Sequence, residues 1–508
     1  MNTLVLAHIL QGGQDRLPLA ATVDIGPSSA GLISLVREAL PPERRAEVGW
    51  FPLRMTPDCA INPCDTQLGC RAPLPAERAF LENLLGLILT PAGADGVPDG
   101  MRELIGPTIG QAYAMRSDET AGAEPNAYAA GRDGEVDAAL ARLGSRLPEC
   151  PLWWEIVDLL FEAEAYETAV RAQRYAVPVL GDFLAAVREP PVQGLIGEAR
   201  YRNGGETVTQ AFIRILTALS GSWPILFAPT AFETGAARIA AIDVAEVAPQ
   251  GSPEAGRQTA TFYLLARHAL TRHWWIGEES LSEVPERYRQ WHAERLRRIR
   301  ETPKRLAYDE FHRLGGAPAA RGLLERDVRE ARKLGVRVAL ASQRLEDFGG
   351  ALAELANRYW VLGAGGKAQE IETLARLFAL SDTLGGLQQL GDRALIEAPR
   401  PCDTERRGRI DTQHVTRGRD PDLPEGRIDH LPGLVFLDCD QPVRAIGTGL
   451  AVQADPATGA VLAFRFAPFA VAGPTVEVPS TEGPDAFFAA VSSTWRKVNS
   501  WKNLSPTG

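Results

Sequence analysis

The chemistry legible in this chain lies at the ends of two short apolar runs. Residues 304–312 read Lys-Arg-Leu-Ala-Tyr-Asp-Glu-Phe-His, and residues 336–343 read Val-Arg-Val-Ala-Leu-Ala-Ser-Gln. Each run stops at polar residues, and a helical pattern from about Ala319 to Leu334 joins them. Parallel strands joined by one helix cross over right-handedly, so their C-terminal ends share one edge. Ligands of such sheets bind at that edge. Asp309, Glu310, Ser342 and Gln343 are therefore expected to face one crevice. An Asp at a strand tip can hold a Mg2+-bound water. The Glu after it can orient and deprotonate an attacking water, and a Gln on the neighbouring strand can position that water or bond a γ-phosphate. This is the water-activating half of an ATP-hydrolysing site. The phosphate-cradling half is not written, because no G-x-x-x-x-G-K-[ST] loop occurs in the 508 residues.

Other residue groups compete for a role. Arg329 and Arg332 are three apart on the connecting helix, so they share a face, and Lys333 follows them. Such a face could project arginines into a neighbouring subunit's site; the plainer reading is a solvated helix with local pairs such as Glu325 with Arg329. Gly363-Ala364-Gly365-Gly366-Lys367 follows a strand and opens a helix, but its spacing is wrong for a phosphate loop and Ala368 stands where Ser or Thr must reach the metal. It reads as a glycine-rich turn. The helix 285–300 carries six arginines with Glu286 and Glu294 among them, which describes a solvated charged face. Trp153-Trp154 and Trp274-Trp275 read as core or interface aromatics.

Composition sets the frame. The chain is 45% hydrophobic and 23% charged with a net charge of −10, ordinary for a globular protein and unlike one that coats nucleic acid. Cys59, Cys64 and Cys70 cluster without a C-x-x-C pair, so no zinc site is indicated. No apolar run approaches the ~20 residues of a membrane span.

The elements that must position these residues follow from periodicity. A helix is expected over 1–11, a buried strand over Leu19–Ile25, a turn at Gly26-Pro27-Ser28-Ser29 and a helix to Leu40, with Ser28 or Ser29 as its cap. Gly49–Met55 reads as a strand. From Pro75 to Leu219 the pattern is helical. Strands resume at Pro224–Ala228, Ile239–Val247, 305–309, 336–341, Arg358–Leu362 and Arg393–Ala398, with helices over Arg257–Thr271, Pro285–Arg300 and Lys367–Phe378. Residues 400–430 read as a linker, and 433–475 alternate like strands. The expected organisation is α/β and mainly parallel, with 1–74 and 221–399 as two parts of one core, 75–220 as an all-α insertion, and 400–508 as a linker and β-like tail.

Several blocks resemble the IcmB/DotO ATPases of type IVB secretion systems, which have conjugative-plasmid relatives and more distant kin among the TraC-type conjugation ATPases. They are Val23-Asp24-Ile25-Gly26-Pro27-Ser28-Ser29-Ala30-Gly31-Leu32-Ile33-Ser34, then Leu53-Arg54-Met55-Thr56 with the stretch from Ile61 to Cys70. Tyr308 to Arg313 and Asp327 to Val336, leading to Leu340-Ala341-Ser342-Gln343, complete the set. The resemblance covers about residues 1–398. It implies a RecA-like P-loop NTPase core with an all-α insertion, using ATP and Mg2+ and acting as a hexamer. It also implies a cytoplasmic position, peripheral at the inner membrane, against the proteins of a secretion or conjugation channel. By position, Asp309 and Glu310 match the Walker B pair, Gln343 the sensor, and Arg329, Arg332 and Lys333 a basic motif acting in trans. The family's phosphate loop precedes the helix that begins at Met1, so the core is expected to be incomplete at the N-terminus, with Met1 an internal methionine of a longer protein. Residues 400–508 do not match the family's C-terminal strands.

Three functions follow from this reading. The first is an ATPase motor of a secretion or conjugation apparatus, represented by its C-terminal part and inactive alone. The second is a non-hydrolysing subunit that joins an oligomer through this domain. The third, a DNA-translocating motor, is possible but not indicated by the acidic charge.

Overall fold

The computed structural model describes residues 1–348 except 12–15, 92–93, 95, 145–146, 197–198, 203, 315–317 and a few side chains, with 352, 355–356 and the strand segments 358–362, 395–397, 434–438, 449–454 and 461–466. The strands are β1 (Leu19–Asp24), β2 (Val48–Pro52), β3 (Ile239–Asp243), β4 (Lys304–Tyr308), β5 (Val336–Ser342), β6 (Arg358–Leu362), β7 (Leu395–Glu397), β8 (Leu434–Asp438), β9 (Gly449–Ala454) and β10 (Val461–Phe466). The helices are α1 (Asn2–Gln11), α2 (Ala30–Ala39), α3 (Pro75–Leu89), α4 (Met101–Arg116), α5 (Gly134–Leu143), α6 (Trp153–Glu162), α7 (Tyr166–Ala176), α8 (Phe183–Ala186), α9 (Pro190–Ile196), α10 (Val208–Ser222), α11 (Pro253–Thr271), α12 (Glu286–Glu301) and α13 (Pro318–Ala331).

The main sheet runs β2-β3-β1-β4-β5 and continues as β8-β6-β7. Its first five strands are parallel, with Ala20 opposite Ile239, Leu19 opposite Lys304 and Tyr308 opposite Leu340. This is the α/β fold with a mainly parallel sheet that the residue pattern indicates. A parallel sheet must be covered on both faces, and the alternation of side chains does this. Val23, Leu306 and Tyr308 join one core with α3, α4, α10 and α11. Ala20, Ala241 and Ala307 point the other way, onto Val5 and Ile9 of α1 and Leu32, Ile33 and Val36 of α2. At about 25 cal/mol per Å2 of apolar surface, such two-sided burial is the main stabilising term.

Helices α3 to α10 stand between β2 and β3 in the chain. Part of this block, α5 to α7, builds a second core with α12 and the loop carrying Leu68 and Cys70. Trp154 is buried there with the Arg71 guanidinium 4.5 Å above its ring. Buried Trp274 and Trp275 join the main core.

Several expectations are corrected. Pro224–Ala228 is not a strand; Pro224–Leu226 is a turn of 3-10 helix, because a five-residue apolar run cannot be told from a buried turn by periodicity. The strand expected over Ile239–Val247 ends at Asp243, and a 3-10 turn over Ala245–Val247 follows. Within the stretch 433–475 that alternates like strands lie β8, β9 and β10, and β8 sits between β5 and β6, antiparallel to both. The helix at Lys367–Phe378, the turn at 363–367 and the linker 400–430 fall outside the described residues. Among the described residues no helix is long and apolar enough to cross a membrane.

Candidate functional site

Three neighbouring strands end in an aspartate at one edge of the sheet. Asp24 closes β1, Asp243 closes β3 directly opposite it, and Asp309 follows β4. The backbone N–H of Asp309 donates to Val23 O at 2.9 Å, and Tyr263 of α11 donates its hydroxyl to Asp309 O at 2.8 Å. Asp309 is therefore fixed from both sides.

The turn after β1 wraps this edge. Gly26 has φ 114° and ψ −179°, a region open only to glycine. Its N–H donates to Asp243 Oδ1 at 2.8 Å. The next turn feeds Asp24: Ser29 N at 2.8 Å, Ser29 Oγ at 2.7 Å and Ser28 Oγ at 2.8 Å all reach Asp24 Oδ2. Ser29 thus spends its hydroxyl on Asp24, and it makes no side-chain cap on α2. Ser28 Oγ also lies 2.8 Å from Asp309 Oδ2. A hydroxyl has one proton and cannot donate it to two carboxylates at once. Either a proton on one carboxyl or a cation must complete the contact. Burial raises the Asp24 pKa, the Ser29 and Ser28 hydrogen bonds oppose it, and the Asp309 charge adds to it. Asp24 Oδ1 is buried without a partner. At the same edge the N-terminal turn of α1 is tied down by Asn2 Nδ2, which donates to Ser28 O at 2.7 Å.

Glu310 sits next to Asp309 in the left-handed region, with φ 53°. A non-glycine residue there is under strain unless its surroundings hold it. Its N–H donates to Asp309 Oδ1 at 3.0 Å. Gln343, just past β5, donates from Nε2 to Glu310 Oε1 at 3.1 Å and Oε2 at 3.2 Å. His312 Nδ1 lies 3.4 Å from Glu310 Oε2. The structure thus brings Asp309, Glu310 and Gln343 together at the edge the sequence indicates.

Ser342 is not brought to this group. It is buried, and its hydroxyl donates to Asp347 Oδ2 and accepts from Arg344 N at 3.2 Å. Successive strand residues point to opposite faces, so Ser342 and Gln343 cannot share a target. Arg329, Arg332 and Lys333 are exposed where α13 leads into β5. That is the far end of β5 from Gln343, so within this chain they do not reach Asp309. The expected pairing of Glu325 with Arg329 is not formed; Glu325 lies 3.5 Å from Arg321 instead.

Sequence reasoning missed Asp24, Ser28, Asp243 and His312. A signal for two of them was present: β1 and β3 each end in Asp, as the 305–309 run does.

The fit to ATP and Mg2+ is one-sided. Asp309 and Asp24, joined across Ser28, are the carboxylate type that a hydrated divalent cation takes, but Asp24 Oδ1 is sealed from solvent. Among the described residues no cluster of three or more carboxylate, histidine or cysteine ligands surrounds a metal position. The 508 residues contain no G-x-x-x-x-G-K-[ST] sequence to hold the phosphates. No hydrolytic step through the nucleotide is therefore derived for this chain.

No family model matches the chain, and no curated protein matches it. Among solved structures, VirB4 of Thermoanaerobacter pseudethanolicus is similar at 14% identity, over 78% of this chain and 81% of that one, with a TM-score of 0.36. An overlap of that quality assigns neither fold nor function by itself.

Proposed function

We propose that this chain is the C-terminal part of a RecA-like ATPase motor of a type IVB-like secretion or conjugation apparatus, of the IcmB/DotO kind. The observation that carries the reading is the Glu310–Gln343 contact beside Asp309 at the C-terminal edge of a parallel sheet. Asp309 would hold the Mg2+ through water, Glu310 would take the proton of the attacking water, and Gln343 would hold Glu310 in place. Arg329, Arg332 and Lys333, at the opposite end of β5, would act on the site of a neighbouring subunit in a hexamer. Channel proteins at the inner membrane are the proposed partners, with the chain on the cytoplasmic side.

A second reading, a non-hydrolysing subunit of the same apparatus, is favoured by one fact: the 508 residues contain no phosphate loop. Without those backbone donors and lysine, positioning and charge stabilisation both fail. The 508-residue chain alone is expected to hydrolyse no ATP above background.

The DNA immediately upstream of the Met1 codon decides between the two. The motor reading expects an in-frame G-x-x-x-x-G-K-[ST] there. It also expects ATP hydrolysis by the extended chain that Glu310→Gln lowers by roughly 10²-fold or more. A stop codon, or a rate indifferent to Glu310→Gln, would remove the motor reading and leave the structural one. A DNA-translocating motor would instead show salt-dependent binding to DNA.

A further inference from the structure

Glu310 keeps a left-handed backbone, φ 53°, which a glutamate adopts only when its surroundings hold it. For an ordinary residue that region costs roughly five- to thirtyfold in population. The backbone on either side is already engaged: Asp309 N donates to Val23 O at 2.9 Å, and Arg313 N to Glu310 O at 2.9 Å. The peptide between Asp309 and Glu310 therefore sets the conformation. Turning this one peptide over would return Glu310 to negative φ, where it carries no strain.

The peptide is held at both ends. Its N–H donates to Asp309 Oδ1 at 3.0 Å, a contact inside one residue pair. Its carbonyl, Asp309 O, accepts from the Tyr263 hydroxyl at 2.8 Å. Tyr263 is fully buried on α11. Its ring stacks on Tyr308, with centroids 5.6 Å apart and planes at 20°. Arg267, one turn along α11, grips Asp327, which accepts from the Tyr308 hydroxyl. The tyrosine is thus fixed before it meets the carbonyl. Turning the peptide over would leave its buried O–H without this acceptor, a penalty comparable with the strain. The other contacts of Glu310 are to its carboxylate and not to its backbone: Gln343 reaches it at 3.1 and 3.2 Å from an exposed position, and His312 lies at 3.4 Å.

We propose that Tyr263 is a positioning residue, whose hydroxyl holds the 309–310 peptide in the orientation that turns Glu310 towards Gln343. Its bearing on catalysis rests on the reading of Glu310 as the base that takes the proton of water; its hold on the backbone does not.

Crystal structures of the 508-residue chain, of Tyr263→Phe and of Gln343→Ala test this. Tyr263→Phe is expected to turn the peptide over, bring Glu310 to negative φ and break its contact with Gln343. Gln343→Ala, which trims an exposed side chain, is expected to leave φ positive. Tyr263→Phe with φ unchanged overturns the proposal. So does relaxation of Glu310 in Gln343→Ala, which would make the carboxylate contact the holder. Urea unfolding adds a readout that a merely structural tyrosine would not move. In the Glu310→Gly background turning the peptide relieves no strain. There Tyr263→Phe should lower the folding constant roughly threefold or more beyond its effect in the unmodified chain. Equal losses in both backgrounds overturn the proposal. No step uses ATP, so failure of the motor reading, which shows as absent hydrolysis, is seen separately.

Discussion

Asp327→Asn should be among the most damaging single-atom changes in this protein. Asp327 is on α13, and its partner Arg267 is on α11, sixty positions earlier. The two meet by a fork, Nε to Oδ2 at 2.9 Å and Nη2 to Oδ1 at 2.5 Å. Tyr308 donates its hydroxyl to Oδ2 at 2.8 Å, and the guanidinium lies 4.2 Å from the Trp275 ring centroid. Both side chains are almost sealed, at 7% and 4% exposed. Burial by itself would lower the Arg267 pKa; the Asp327 carboxylate overrides it and raises the pKa. The asparagine keeps the shape but leaves a guanidinium in the core with no counter-charge, which costs about 3–5 kcal/mol. The pair itself is worth much less than that, because both ions gave up water to form it. Removing the guanidinium as well, as Arg267→Met with Asp327→Asn, should therefore recover most of the loss, since Asn keeps an oxygen for the Tyr308 hydroxyl. Urea denaturation followed by tryptophan fluorescence, run as a double-mutant cycle, measures this. The reasoning fails if Asp327→Asn costs under about 1 kcal/mol, or if the double variant is as unstable as the two losses added together. The change also lies next to the candidate site, because Tyr308 is the residue before Asp309.

Glu310→Gly should leave stability unchanged or raise it by up to about 1 kcal/mol, since glycine meets no steric penalty in the left-handed region; a clear loss in the urea midpoint would mean that the Gln343 and His312 contacts outweigh the strain. Gly26→Ala should cost about 1–3 kcal/mol by the same assay, because φ 114° with ψ −179° has no room for a Cβ in low-energy backbone. Glu77 is buried, and burial raises its pKa to about 7. Its folded form holds a proton that the unfolded chain releases near pH 4.5, so stability should fall as pH rises from about 4.5 to 7 and then level off. Glu77→Gln should flatten that part of the pH–stability curve, and an unchanged slope would assign it to other groups.

How much was legible depended on sequence distance. Asp309, Glu310 and Gln343 could be placed because each ends a short apolar run and one crossover rule aligns the ends. The helical block between β2 and β3 was legible for the same reason, as periodicity is a local property. Its detail was less so. The pattern runs on as helical to Leu219, but α7 stops at Ala176, where Val177 turns extended before Pro178. What escaped were contacts between distant residues. Ser28 and Asp309 are 281 positions apart, and no local pattern says that the hydroxyl of one turn bridges the carboxylates of two strands. Arg295 was hidden differently: six arginines on one helix share a composition, and only the fold turns one of them inward. Ser342 shows the converse error. Adjacency in sequence placed it with Gln343, yet period-two alternation sends neighbours on a strand to opposite sides. Had that rule been applied at the strand end as strictly as along its body, Ser342 would have been assigned to the interior from sequence. Asp24, which closes its own strand beside β4, would have been the better candidate to share the work of Asp309.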